Sequence, residues 1–172
     1  MSEEPQAATL LEPQEVLELT KDLVGESCLE MSLDRDEKLI VWIEPPVLHS
    51  VVRALRDHGQ LSFRYLVFLT AADYEDHMEA LYLFRSMKHK VQVEIRARME
   101  REHPSIPTLA TLYSTACWHE RESYDMFGIF YEGHPELTHI LTGGEGKAFP
   151  LRKDARPKRI QRREWHWRGY SP

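Results

Sequence analysis

Long apolar runs are missing from this 172-residue sequence: nothing approaches the 18 or more uninterrupted apolar residues that a membrane-crossing helix needs. The start, Ser2-Glu3-Glu4-Pro5, lacks the basic end of a signal peptide. Together these absences predict a cytoplasmic protein. Cysteine is scarce too. Cys28 and Cys117 stand alone, 89 positions apart, which excludes Cys-x-x-Cys metal and redox motifs and any disulfide framework. Both read as small buried hydrophobes.

Patterns that carry chemistry are absent as well. His119-Glu120 begins like a zinc-protease motif, but Ser123 stands where the second histidine would be. His134 and His139 lack a third ligand. His134-Pro135 is instead expected to shape a turn in which the imidazole satisfies a backbone group. Glu120 and Glu122, two apart on a helix, point to different sides, which argues against a shared acid–base pair. Gly143-Gly144-Glu145-Gly146 has no following Lys-Ser/Thr and no strand–loop–helix frame, so it reads as a turn. The expectation is a chain with no catalytic, metal or cofactor-binding residue of its own.

The residues that are present suit an ordinary globular domain, 42% hydrophobic and 29% charged. Charge is unevenly spread. Residues 147–172 hold nine basic against two acidic side chains, a net +7, which leaves −13 on the first 146 residues out of a total of −6. A basic end of this kind lies against something acidic, whether its own body, a partner subunit, a phosphate-rich polymer or a membrane surface.

In chain order, residues 1–12 form a loose acidic end and 13–24 a helix stopped by Gly25. Runs 27–33 and 39–43 read as a hairpin. Pro45-Pro46 opens a helix to about His58. Strand-like runs follow at 62–69, 80–85 and 90–96, the last alternating Val91, Val93 and Ile95 with Gln92, Glu94 and Arg96. The order predicts an α+β fold, a mostly antiparallel sheet packed by helices on one face, with an extended C-terminal arm. Three regions are expected: a sheet domain over 1–107, a signature helix and turn region over 108–154 packed on it, and a basic, aromatic arm over 155–172.

The densest stretch is 118–129. Thr108 is a plausible N-cap for a helix to Phe127 ended by Gly128. On that helix Leu109, Leu112, Tyr113, Ala116, Cys117, Glu120, Tyr124 and Phe127 share a face, so Glu120 sits in an apolar stripe where a carboxylate is costly unless hydrogen-bonded. Trp118 lies half a turn away, so both sides of the helix want burial and a partner protein is expected to cover the outer one. Arg121 and Asp125 are spaced to pair. Arg152 or Lys153, brought back by the 143–150 connection, would supply the cation that Glu122 and Asp125 share. An ordered network is preferred here to a solvated salt-bridge face. The arm interleaves Arg159, Arg162, Arg163 and Arg168 with Trp165, Trp167 and Tyr170. That mixture suits an interface arm over a neighbouring subunit first, with a membrane surface, single-stranded nucleic acid and a loose end as alternatives.

Trp118-x-Glu120-Arg121-Glu122-x-Tyr124-Asp125-Met126-Phe127-Gly128-Ile129, Gly133-His134-Pro135-x-Leu137, Ile140-Leu141 and Pro150-Leu151-Arg152-Lys153-Asp154 closely resemble the signature of the 30 kDa-type subunit of respiratory complex I, the proton-pumping NADH:quinone oxidoreductase. Weaker similarity runs through Thr70-Ala71-Ala72-Asp73-Tyr74, 80–84 and 104–107. The resemblance implies a cofactor-free structural and assembly subunit of the peripheral arm. It would dock on the hydrogenase-like large subunit, near the small iron–sulfur subunit, at the cytoplasmic face of the membrane. Iron–sulfur clusters and a flavin or nickel–iron centre would belong to partner subunits. Thr138-His139 and the sequence after Asp154 depart from the family's usual pattern. Membrane-bound nickel–iron hydrogenases, formate hydrogenlyases and F420-dependent dehydrogenases carry similar subunits and are the alternative homes. A stand-alone nucleic-acid module is the reading from another class. The interface expected on this ground comprises Trp118, Glu120, Arg121, Glu122, Asp125, Phe127, His134, Pro135, Leu137, Arg152, Lys153, Asp154, Arg159, Arg163, Trp165 and Trp167.

Overall fold

The computed structural model describes residues 10–143 and 149–155. Helix α1 spans Pro13–Val24, as the periodicity predicts. Pro13 opens it, and the Glu12 N–H donates to the Glu15 carboxylate at 3.0 Å, satisfying a donor that the helix start leaves orphaned. Strands β1 (Cys28–Leu33) and β2 (Leu39–Ile43) form the expected hairpin. Pro45–Val47 is a single tight turn, and helix α2 proper runs Leu48–Asp57. Strands β3 (Tyr65–Tyr74), β4 (His77–Arg85) and β5 (Gln92–Glu100) complete a five-stranded sheet.

The sheet order is β1-β2-β5-β4-β3. Every neighbour pair is antiparallel except β2 with β5, which run parallel. The α+β architecture therefore holds, and one parallel junction joins a hairpin to a meander. Strands β3, β4 and β5 are longer than the apolar runs suggest, because Thr70-Ala71-Ala72-Asp73-Tyr74 and Ala97-Arg98-Met99-Glu100 pair fully although few of these residues are strong strand formers.

Alternation sorts the two faces. Val41, Ile43, Met78, Ala80, Tyr82, Phe84, Val93, Ile95 and Ala97 are buried in one core with Val16 and Val24 of α1 and Leu48, Val51, Val52 and Leu55 of α2. On the other face Glu94 meets Lys38 at 2.6 Å and Arg96 at 2.5 Å, and Glu79 meets His77 at 3.0 Å. Two further short strands, β6 (Ser105–Pro107) and β7 (Phe130–Glu132), pair in parallel and bracket helix α3 (Ala116–Phe127).

Helix α3 starts seven residues later than expected. Residues 109–115 are turns, and Thr108 is not an N-cap. Local bonds close these turns, the Leu112 and Tyr113 N–H groups donating to the Leu109 carbonyl at 2.9 Å, and tertiary bonds tie them down: the Leu109 N–H donates to the Glu120 carboxylate at 2.6 Å, Arg56 to the Leu112 carbonyl at 3.0 Å, and the Tyr113 hydroxyl to the Phe63 carbonyl at 2.5 Å. Thr108, Thr111, Ser114 and Thr115 are weak helix formers, so these bonds outweigh a helix.

Candidate docking site

Glu120 lies one helical turn into α3 and is fully buried. It accepts the Thr108 hydroxyl at 2.5 Å and the Leu109 N–H at 2.6 Å. The expected apolar stripe is thus not one continuous helix: Glu120 reaches across to tie the 108–113 turns onto α3. Burial pushes its carboxyl up to about 7, opposed by those two hydrogen bonds. The buried hydroxyls of Tyr82 and Tyr131 lie next to one another, with Ser123 beside Tyr131, although neither meets strict hydrogen-bond geometry among the described residues. Both are driven further from ionisation by burial, with a contribution from the Glu120 charge.

His134 behaves as the turn reading predicts. Its Nδ1 accepts the Glu136 N–H at 3.0 Å and its Nε2 faces the Cys117 carbonyl at 3.2 Å, so Nε2 carries the proton of a neutral ring. Its side chain is buried 3.9 Å from Glu120. Pro135 is exposed and Leu137 is half-buried against the core.

The expected Arg121–Asp125 pair does not form. Asp125 faces inward and gathers the 139–142 loop: one oxygen accepts the N–H groups of Ile140, Leu141 and Thr142 at 3.0, 2.6 and 3.0 Å, while the other takes His139 at 2.7 Å and the Thr142 hydroxyl. Burial opposes its ionisation, but these donors outweigh it and hold the carboxyl well below the usual range. Arg121 points outward, donating to the Thr138 hydroxyl at 2.6 Å with its guanidinium 4.9 Å from the Trp118 ring.

The cation expected for Glu122 and Asp125 is placed elsewhere. Arg152 donates to the Phe127 carbonyl at 2.6 Å, capping the negative end of α3. Leu151 N–H adds a bond to the Met126 carbonyl at 3.1 Å. Lys153 donates its backbone N–H to Asp73 at 2.9 Å, and Asp154 pairs with Arg101 at 3.0 Å. Arg101 also clamps both oxygens of Asp73, at 2.8 and 3.0 Å. Sequence reasoning missed this Asp73–Arg101 tie. The signal was the parity of Leu69, Ala71 and Asp73, which puts a carboxylate on the core face once β3 is allowed its full length.

The outer side of α3 is open. Trp118 is 63% exposed near the start of the helix, and Leu141 and Leu151, bonded to Asp125 and Met126, are exposed towards its other end. Glu122 is exposed and, with the half-buried Phe127, lines a small crevice that ends at Leu151. Of the expected interface residues, those from Trp118 to Arg152 lie on α3 or in the segments that pack against it, whereas Lys153 and Asp154 are held at the sheet by Asp73 and Arg101. Arg159, Arg163, Trp165 and Trp167 lie outside the described residues. Among the described residues no three His, Cys, Asp or Glu side chains are grouped to hold a metal ion, and His134 and His139 are each engaged separately. The arrangement suits a platform whose buried carboxylates are hydrogen-bonded from within the chain and whose outer side presents Trp118 with Arg121 and Glu122.

Residues 41–161 match the family described as "Respiratory-chain NADH dehydrogenase, 30 Kd subunit". An NADH-quinone oxidoreductase subunit of Salinispora tropica is 34% identical over 147 residues, covering 83% of this chain and 60% of that protein. Its counterpart from Chlorobium phaeobacteroides is 41% identical over 105 residues, 58% of this chain and 62% of that one. The chain thus spans roughly three-fifths of the length of these relatives. Among solved structures, a chain of an archaeal membrane-bound sulfane sulfur reductase superposes with a TM-score of 0.72 at 22% identity, covering 83% of this chain and 85% of that one. A trypsin-resistant fragment of Nqo5 gives 0.59 at 22%, covering 72% and 98%. At that identity the superpositions concern the fold.

Proposed function

Because the chain belongs to the family of the 30 kDa subunit of the respiratory-chain NADH dehydrogenase, we propose that it is a structural and assembly subunit of a complex I-like redox complex, with the outer face of α3 as its docking surface. The observation that carries this reading is the contrast along one helix. Glu120 and Asp125 are buried and fully occupied inside the chain, whereas Trp118, a residue type favoured as an interface anchor, is 63% exposed three residues from Arg121. Its indole leaves apolar area in water that a partner can bury, on a helix whose inner carboxylates are already engaged.

The partner is the hydrogenase-like large subunit, with the small iron–sulfur subunit adjacent. Flavin, iron–sulfur clusters or a nickel–iron centre reside in those subunits, and this chain supports their electron path to quinone without holding a redox group. It sits peripherally, at the cytoplasmic face. Among the described residues no helix is long and apolar enough to cross a membrane, so membrane association in this reading is indirect. The quinone-reductase setting is favoured over a hydrogenase because the relatives above 30% identity are named as parts of NADH-quinone oxidoreductases.

Purifying the tagged full chain from its native host should retain both partner subunits. Trp118→Ala, Glu120→Ala and Arg152→Ala should each lower the amount of assembled complex more than the turnover per assembled unit. Recovery of the chain alone, or normal assembly with lost turnover, would overturn the reading.

A further inference from the structure

A second open region lies at the far end of the sheet, where β2 and β5 finish and β1 and β4 begin. A groove of about 590 Å³ is lined by Leu29, Ile43 and Met99, of which Leu29 is the exposed apolar side chain, and by Glu30, Glu44 and Glu100. All three glutamates are exposed, and none has an ion-pair partner among the described residues. The wall is Trp42, with the Arg98 guanidinium 5.6 Å from its ring centre. It is a surface that already accepts a guanidinium.

The chain leaves the described body beside this groove. Lys153 places its ammonium 5.9 Å from the Tyr74 ring, and Tyr74 stacks at 4.9 Å on His77, which lines the groove. Asp154 is held by Arg101, the sequence neighbour of the groove residue Glu100. The next eight residues, Arg156-Pro157-Lys158-Arg159-Ile160-Gln161-Arg162-Arg163, carry five positive charges and no negative one. Eight extended residues reach about 26 Å. The three strand spacings from β4 across β5 and β2 to β1 take only about 14 Å.

We propose that in the free chain residues 156–163 lie in this groove, with their cations on Glu30, Glu44 and Glu100 and Ile160 against Leu29. The contact is intramolecular and independent of any partner. If the arm also reaches over a large subunit, a consequence that rests on the docking reading above, that subunit must displace it, so the groove acts as a holding site before assembly.

Trypsin reads this directly, since Lys158, Arg159, Arg162 and Arg163 are all cleavage points. In the full native chain at low salt, cleavage within 158–163 should be about tenfold slower than in the Glu30→Gln/Glu44→Gln/Glu100→Gln chain, each exposed pair contributing a factor of a few. The difference should vanish near 0.5 M salt, where screening acts over a few ångströms. Equal rates in the two chains, fast or slow, would overturn the proposal. A second measurement avoids the variant: ending the chain at Ala155 should speed amide exchange at Glu44 and over 98–100, and unchanged exchange there would also overturn it. Neither result touches the recovery of partner subunits, so this idea and the docking reading fail separately.

Discussion

Glu120 and Asp125 stand five residues apart on one helix, both shielded from water, yet they are driven in opposite directions. Glu120 has two donors and Asp125 has five, and the count decides whether burial or hydrogen bonding wins. The consequence for stability follows from the sign of each shift. Glu120, raised from 4.5 to about 7, favours folding below its unfolded value and loses that contribution as pH rises to 7, by about 3 kcal/mol in all. Asp125, depressed, contributes above its unfolded value and loses the contribution only as acid is added below it. Urea unfolding at pH 5 and pH 8 should therefore show a chain more stable at the lower pH, and Glu120→Gln should remove most of that difference; an unchanged difference would assign it to another group. Asp125→Asn should cost about 3 kcal/mol at pH 7, since it removes the charge on which three N–H groups and two side chains converge.

At the scale of the element, α3 owes its end to two residues distant from each other in sequence. Gly128 adopts φ 78, in the left-handed region, and the Phe149 ring occupies the place where a Cβ would stand. Gly128→Ala should lower stability by about 2 kcal/mol or more and displace Phe149, which unfolding midpoints and the amide spectra of 149–152 would detect. Trp118→Ala makes the opposite case. As an exposed side chain its removal should change the chain's own stability by no more than about 0.5 kcal/mol, so any loss of assembled complex is a loss of docking.

Across the whole molecule, segment 149–155 is fastened at two points, by Arg152 to the end of α3 and by Asp73 and Arg101 to the sheet. Asp73→Ala should leave the sheet intact by circular dichroism while making the peptide bonds after Arg152 and Lys153 open to trypsin; continued protection would place the fastening on Arg152 alone. Helices α1 and α2, the β1–β2 hairpin and the alternation of β5 were legible in the chain, because each rests on a local period and a local stop such as Pro13, Gly25 or Pro45. The family signature was legible too, because it is a run of residue types. Only the tertiary structure decided that β2 runs parallel to β5, that 109–115 turn instead of coiling, and which groups satisfy Glu120, Asp125 and Arg152. Spacing of three or four along a helix names the residues that can meet on that helix. The partners that settled these side chains lie 11 to 25 residues away, and a contact at that separation depends on where the folded chain returns.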